Sequence, residues 1–143
     1  GYGNEVFRDA VRRLTACGIY VIAHMIIGLP NETPEDMENT LRYMLDCGVN
    51  GVKLQLLHVI RGTDLEKYMG TFHILDEDEY IDIIISALEL LPPEMVIHRL
   101  TGDGPADLLI APLWSLKKRN VLNHINSALK SRDTWQGRAF NQK

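Results

Sequence analysis

The sequence has few of the residues that usually mark a metal site or a disulfide framework. Only two cysteines, Cys17 and Cys47, occur among 143 residues. Two are too few for a framework of disulfide bonds and fit a reducing cytosol. No apolar run approaches the ~18 residues of a transmembrane helix, and no signal-peptide pattern opens the chain. We therefore expect a cytoplasmic protein with no membrane partner.

The five histidines do not follow the spacing of a metal site. No two of them stand three or four residues apart, and no HExxH sequence is present. His24 and His58 are the pair that could converge, because each lies near the carboxyl end of a predicted strand. Cys17 and Cys47 each precede a glycine at the end of a predicted helix. This position favours a packing role, so each is predicted to be a small buried residue. We expect no metal ligands in this chain.

Charge is distributed unevenly along the chain. The net charge is -4, but residues 1–116 carry -10 and residues 117–143 carry +6. A basic tail on an acidic body predicts that the tail meets something anionic, either the body itself or a nucleic acid. A solvated C-terminal helix is the alternative.

Helical and strand patterns alternate from one end of the sequence to the other. Periodicity predicts helices over 5–17, 33–47, 76–91 and 115–130, and strands over 19–27, 51–59 and 96–100. Asn4, Thr33 and Ser115 are the predicted N-caps of three of these helices, and Pro34 suits a first helical position. Leu122, Ile125 and Leu129 form the predicted stripe of the last helix. The first strand is predicted to be buried on both of its faces.

This alternation predicts an α/β fold with a mainly parallel sheet. Three strands can neither close a barrel nor complete a doubly wound sheet, so we interpret the chain as the C-terminal part of an α/β barrel. It starts at Gly1, without an initiator Met, and enters a helical pattern at once. This start favours a piece of a longer protein.

Functional side chains are expected at the carboxyl ends of the strands, where α/β folds place their sites. Lys53 and Gln55 share the strand face opposite the helices. On an otherwise buried strand they need partners or a ligand. The alternative is that they bond to each other or to the backbone.

One segment resembles a known enzyme family. Ile26–Thr33 is similar to the I-x-G-L-P-G-E-T element that follows the fifth barrel strand of radical S-adenosylmethionine (SAM) enzymes. Gly62-Thr63, with the later Leu65, resembles their G-T-x-L element. Three further stretches resemble an uncharacterised bacterial Fe-S oxidoreductase subfamily related to the elongator-type radical enzymes: His98–Asp103, Leu109–Trp114 and Asp133–Gly137.

The resemblance implies a fold and a cofactor chemistry. Residues 1–75 would supply the last two βα units of a partial (β/α)6 barrel. Residues 76–143 would supply an α/β C-terminal extension: the last barrel helix, an extra strand, and the C-terminal helix with its basic tail. In the family, a [4Fe-4S] cluster held by three closely spaced cysteines binds S-adenosylmethionine, and reduction of the cofactor gives a 5′-deoxyadenosyl radical.

The resemblance also implies residue roles. Ile26 would pack on the adenine, and Gly28 would let the backbone approach it. Val59, with the backbone around His58, would line the other side of the adenine pocket. The candidates for catalysis on the substrate side are His98, Arg99 and Asp103, with a structural salt bridge between the last two as the alternative.

The sequence departs from the family pattern in two places. Asn31 stands where the family has glycine, so its backbone needs a conformation that Asn tolerates. No CxxxCxxC is present, and two cysteines cannot supply three thiolates. We therefore expect no cluster or S-adenosylmethionine on this chain alone, and no activity.

Three hypotheses remain open at this stage. The first is the C-terminal fragment of a radical SAM Fe-S oxidoreductase of unknown substrate, contributing the adenine side of the cofactor site and part of the substrate cavity. The second is a tRNA-binding module that uses the basic tail with Trp135 and Phe140. The third is an unrelated α/β domain complete in itself. A fragment would expose the edge of its first strand, which favours a homo-oligomer.

Overall fold

The computed structural model describes residues 3–102 and 104–140. Helices and strands alternate along them, confirming the predicted α/β class. The helices are α1 (Asn4–Ala16), α2 (Pro34–Asp46), α3 (Glu77–Leu90) and α4 (Lys118–Ser131). The strands are β1 (Ile22–Ile27), β2 (Gly51–Leu56), β3 (Val59–Ile60), β4 (Val96–Arg99) and β5 (Leu109–Ala111).

Three strands form a parallel sheet in the order β1-β2-β4. β1 and β2 pair over their whole length. β4 pairs with the other side of β2, and a bulge between Val52 and Lys53 shifts its register. α2 lies in the connection from β1 to β2 and α3 in that from β2 to β4, because parallel neighbours need a crossover.

Capping boxes begin the two crossover helices. The Thr33 side chain accepts a hydrogen bond from the Asp36 backbone N–H, and the Asp36 carboxylate accepts one from the Thr33 N–H. The Thr33 hydroxyl and then the Thr33 N–H donate to the Asp36 carboxylate and hold the pKa of Asp36 below its ordinary value. Asp76 and Glu79 repeat the arrangement at α3. The predicted N-cap Thr33 and the first helical residue Pro34 are both confirmed.

One hydrophobic core lies between the sheet and the helices. The predicted apolar face of β2 is confirmed, since Val52, Leu54 and Leu56 are buried. α2 adds Met37 and Leu41 to this core. α3 and α4 contribute further large buried side chains: Tyr80, Ile81, Ile84, Ile85, Leu88, Leu90, Val121 and Ile125. The core joins residues before and after position 75, and the division predicted there stays a prediction.

The prediction that β1 is buried on both faces is wrong. Ala23, Met25 and Ile27 face the helices and are buried, but His24 and Ile26 are exposed. The reason is that the described helices pack against one side of the sheet only. We call the other side the open face. It carries Ile22, His24 and Ile26 of β1, Lys53 and Gln55 of β2, and Arg99 of β4.

The second predicted strand, 51–59, is two strands rather than one. β2 ends at Leu56, and the Leu57 N–H donates to the Ile27 carbonyl oxygen at 2.9 Å. The chain then turns at His58, so that β3 pairs antiparallel with β5. Sequence periodicity missed β5 because three residues are too few to show alternation.

The predicted start of the last helix is wrong, and so is one residue of its predicted stripe, whereas Ile125 is buried and Leu129 packs against the core as predicted. Ser115 is buried in a 3-10 helix over Leu113–Leu116, where its hydroxyl donates to the Pro112 carbonyl oxygen at 2.8 Å. α4 begins three residues later, without a side-chain cap. Leu122 is 40% exposed, and Val121 takes its place beside Ile125 in the core.

The predictions at the start of the chain also need correction. Asn4 is the first helical residue of α1, and Gly3 takes the N-cap position. Cys17 is exposed at the end of α1 rather than buried, and Cys47 is half-buried at the end of α2. Val11 is the residue through which α1 packs on the core, and it lies in the middle of the helix rather than at its end.

Within residues 3–102 and 104–140, no helix combines the length and apolarity needed to cross a membrane. The cytoplasmic location stays a prediction.

Candidate functional site

The loops that follow β2 and β4 lie against each other. A Cβ placed on Gly102 would lie 2.3 Å from Nε2 of His58, and one on Gly104 would lie 2.7 Å from its Nδ1. Glycine at both positions therefore lets the loop rest on the imidazole ring. His58 and the predicted substrate loop after β4 are thus brought together. The Gly-x-Gly spacing is the sequence signal for this close approach.

Gly28 ends β1 in a backbone conformation that favours glycine, with φ at 86°. A Cβ at this position would lie 2.9 Å from Cδ1 of Leu75. Gly28 and Leu75 line a cavity of about 10 Å³ with Val59 and Phe72. That space holds no more than a water molecule. Segment 72–75 therefore covers this part of the sheet edge, a contact that sequence reasoning missed.

Ile26 is the predicted cofactor-binding residue whose apolar side chain is exposed. It is 39% exposed on the open face and pairs in register with Gln55. An exposed apolar side chain beside an amide fits a flat purine ring. Val59 is buried and lines the small cavity beside Gly28. The residues present are therefore compatible with one side of an adenine pocket.

The residues present do not fit an iron-sulfur cluster. Cys17 and Cys47 end the helices that precede β1 and β2, so both lie toward the amino-terminal edge of the sheet. The described part of the chain contains no group of three His, Cys, Asp or Glu side chains that could hold a metal ion. His24 and His58, the histidine pair singled out from the sequence, are therefore not part of such a group. The chain provides no cysteine triad for a cluster.

Two of the three catalytic candidates lie at the end of β4. Arg99 is half-buried and pairs in register with Lys53, which in turn pairs with His24. His98 is exposed, and its ring carbon Cδ2 lies 3.3 Å from a Cβ built on Gly51. Asp103 lies outside the described residues, so its predicted salt bridge stays a prediction.

Glu32 is a titratable group on the other side of the sheet that sequence reasoning did not single out. It lines a cavity of about 520 Å³ between α2 and α3, above Met25 and Ile27. Its Oε2 atom is buried without a hydrogen-bond partner among the described residues. Burial raises the pKa of this carboxyl group. Asn31, just before it, has a φ of 66°, the left-handed conformation expected for the residue that replaces glycine.

The basic tail packs on the body of the protein. Gln136 donates from Nε2 to the carbonyl oxygens of Pro92 and Met95, at 2.7 and 2.8 Å. The Gly137 N–H donates to the Leu88 carbonyl oxygen at 3.0 Å. Further side-chain contacts are Arg132 with Asp82 and Thr134 with Glu89. The tail was predicted to meet either the acidic body or a nucleic acid, and the contact of Arg132 with Asp82 shows that it contacts the acidic body.

Sequence comparison assigns the family. Residues 49–131 match the Radical_SAM C-terminal domain. The chain belongs to the radical SAM C-terminal domain family. The matched region begins just before β2 and ends with the last residue of α4. The predicted resemblance to radical SAM proteins is confirmed.

Curated relatives of this radical SAM chain occur in bacteria and an archaeon. The uncharacterised protein YtqA of Bacillus subtilis is 41% identical over 134 residues, covering 92% of this chain and 42% of that protein. The uncharacterised protein MJ0486 of Methanocaldococcus jannaschii is 34% identical over 144 residues, covering 96% and 44%. Protein YhcC of Escherichia coli K12 is 31% identical over 99 residues, covering 68% and 32%. The radical SAM chain thus spans less than half the length of these relatives.

Proposed function

We propose that this chain is the C-terminal portion of a radical SAM Fe-S oxidoreductase. It supplies the last two βα units of a partial (β/α)6 barrel and an α/β extension. In this arrangement the open face lines the barrel interior, and its carboxyl end forms the adenine side of the S-adenosylmethionine site. The observation that carries the proposal is Ile26, an exposed apolar side chain at the carboxyl end of β1.

The contacts at this edge support the assignment. The pairing of β1 with β2 sets Gln55 beside Ile26, so an apolar side chain and an amide lie next to each other. His58 lies under the loop after β4, which joins the proposed adenine side to the loop proposed for the substrate. Bound S-adenosylmethionine would supply the radical chemistry. Ile26, Gln55 and His58 would bind and orient the cofactor and exclude water from it.

The chain alone is proposed to be inactive. Three thiolates are required for the cluster, and the sequence has two cysteines. Reconstitution of the chain with iron and sulfide is expected to give no visible charge-transfer absorbance of a [4Fe-4S] cluster. A stoichiometric cluster signal would overturn this part of the proposal.

The adenine role can be tested in a protein that includes the cluster motif expected ahead of Gly1. Replacing Ile26 by Ser removes apolar surface from the proposed pocket, so S-adenosylmethionine affinity should fall roughly tenfold. Ile22→Ser makes the same change four residues further back on the same face of β1 and should leave affinity unchanged. Equal affinities in the two variants would contradict the adenine role of Ile26.

The tRNA-binding alternative is supported by exposed aromatic side chains in the tail. Trp135 is 58% exposed, and the Arg138 guanidinium carbon lies 5.6 Å from the centre of its ring. Aromatic rings beside cations are suited to stacking on unpaired bases. Phe140 is also exposed. This second proposal concerns the tail alone and does not depend on the adenine site.

Titration of tRNA at two salt concentrations tests the alternative. Trp135→Ala removes the stacking surface but leaves every cation in place, so affinity should fall by about 1–3 kcal/mol per lost stacked base. Leu113→Ala is the matched control, because Leu113 is also exposed but lies outside the tail. Binding that is absent, or equally affected by both changes, would contradict the alternative.

A further inference from the structure

Three side chains that can carry positive charge stand side by side on the open face. His24 on β1 pairs in register with Lys53 on β2, and Lys53 pairs in register with Arg99 on β4. Residues paired in a parallel sheet point to the same face. For Arg99 the pairing with Lys53 comes directly after the register shift in β4. With about 4.8 Å between neighbouring strands, the three Cα atoms span roughly 10 Å. We call these three residues the cationic row.

The cationic row has no acidic neighbour on its own strands. β1, β2 and β4 contain no Asp or Glu. Within the part of the chain that the structure describes, the side chains of His24 and Lys53 form no hydrogen bond or ion pair. Arg99 has an interaction within the chain. The lysine is half-buried, and a cation in such a position is stabilised by an anion.

The row also places like charges side by side in the sheet. Like charges on directly neighbouring strand positions repel each other and lower stability. Arg presents a planar fork of donors that matches an oxyanion, and Lys adds a point charge beside it. The next open-face positions toward the carboxyl end hold Gln55 and Ile26, so the row lies below the proposed adenine contact.

We propose that the cationic row is a binding site for an oxyanion, a phosphate or carboxylate group, on the open face of the sheet. Lys53 is its central residue, flanked by Arg99 and His24. The assignment of this anion to the substrate rests on the function proposed above, since the open face would then line the substrate cavity. The anion site itself is argued from the strand register, so it does not depend on the radical chemistry.

Titration of the 143-residue chain with inorganic phosphate tests the site. NMR signals of the Lys53 side chain and the His24 ring should shift with phosphate. Lys53→Gln should weaken phosphate binding roughly tenfold, since a hydrogen bond to a charged group is lost. Lys130→Gln, the same charge change on exposed α4, should leave it unchanged. Equal loss in both variants, or no shift at Lys53 and His24, would overturn the proposal.

A second measurement tests the row through stability rather than through binding. At low salt and without phosphate, Lys53→Gln should raise Tm by roughly 1–3 °C, because repulsion in the row is relieved. Lys53→Arg should keep phosphate binding. A fall in Tm for Lys53→Gln would show that an acid of the chain itself neutralises the row, and would overturn the proposal.

Competition identifies the source of the anion, and it is measured in a protein that includes the cluster motif, because this chain alone is expected to bind no S-adenosylmethionine. S-Adenosylmethionine carries a carboxylate, whereas 5′-methylthioadenosine has the same adenosine part without one. Displacement of phosphate by the first compound alone would support the site and assign its anion to the cofactor. Displacement by neither would support a substrate anion. Displacement by both would place the base in the row and overturn the proposal. The Ile26→Ser experiment does not involve the row, so the two proposals can fail separately.

Discussion

At the scale of single residues, two glycines with the same backbone conformation have different neighbours. Gly28 has φ at 86° and Gly62 has φ at 82°. A Cβ on Gly28 would press on Leu75, whereas one on Gly62 would have no atom within 4 Å. An alanine at position 62 therefore measures the cost of the left-handed backbone alone. An alanine at position 28 measures that cost together with the contact to Leu75.

We predict that Gly62→Ala lowers the free energy of unfolding by about 1 kcal/mol, through backbone strain. Gly28→Ala should cost roughly 1 kcal/mol more, because the added methyl group overpacks against Leu75. Urea unfolding of both variants measures the difference. Leu75→Ala in the Gly28→Ala background should recover part of it. If both single variants cost the same, the Leu75 contact does not constrain position 28.

Glu32 gives a second prediction, on the dependence of stability on pH. Burial raises its folded pKa above the ordinary value of 4.5, so the folded state holds the proton more tightly than the unfolded state. The contribution of Glu32 to stability is therefore present at low pH and is lost as pH rises through the folded pKa.

We predict that Glu32→Gln increases stability at neutral pH and flattens the decline in stability as pH rises above 4.5. The physical reason is that the amide has no charge to desolvate. Glu35→Gln, an exposed neighbour in the first turn of α2, serves as the control for removal of one negative charge. Urea unfolding across this range measures both variants. The same response in both would attribute the effect to net charge and not to burial at position 32.

At the scale of helices and strands, the start of α3 depends on a capping box. The Asp76 carboxylate accepts from the Glu79 N–H at 2.9 Å, and the Glu79 carboxylate accepts from the Asp76 N–H at 2.9 Å. α3 carries seven buried residues, so loss of this cap affects the helix that contributes most to the core. His73 also contacts the Glu79 carboxylate, at 2.7 Å.

We predict that Asp76→Ala lowers the free energy of unfolding by about 1 kcal/mol, because an N–H of the first turn loses its acceptor. Asp76→Asn keeps an acceptor oxygen and should change stability much less. Thermal and urea unfolding of the pair measure the cap alone. Equal destabilisation by both would point to the charge of Asp76 and not to its hydrogen bond.

Element boundaries were predictable where local chemistry sets them. Thr33 and Pro34 predicted the start of α2 correctly, since a cap acts within one turn. Ser115 has the same cap chemistry but lies in a buried 3-10 helix. Packing on the core decided its position, and the local sequence does not contain that contact.

At the scale of the whole molecule, the parallel sheet has two outer strands, β1 and β4. Such edges carry unpaired backbone groups that can pair with another chain. Beside the β1 edge, Ile22 and Ile26 add apolar surface on the open face. Both features favour self-association of this chain.

We predict that the chain self-associates as its concentration rises, measured by sedimentation. Ile22→Lys combined with Ile26→Lys should shift it toward monomer, because charges beside an edge strand oppose pairing. Leu122→Lys, on the exposed side of α4, is the control and should leave association unchanged. A chain that stays monomeric at all concentrations, or responds equally to both changes, would contradict pairing at this edge.

The sequence by itself determined the alternation of helices and strands, the capped start of α2, and the buried face of β2. Each depends on residues within a turn or a few positions of one another. It also determined that the chain lacks a set of cluster cysteines. The resemblance at Ile26–Thr33 and in the later motifs pointed to the radical SAM family, which the match over residues 49–131 confirmed.

The tertiary structure alone decided which distant residues became neighbours. Strand register placed His24, Lys53 and Arg99 in one row, although about 30 and 46 positions separate the neighbouring members. Core packing placed Leu75 against Gly28, and the chain turn at His58 allowed β3 to pair with β5. The physical reason is that periodicity reports which face of an element is buried, whereas register depends on how whole elements pack.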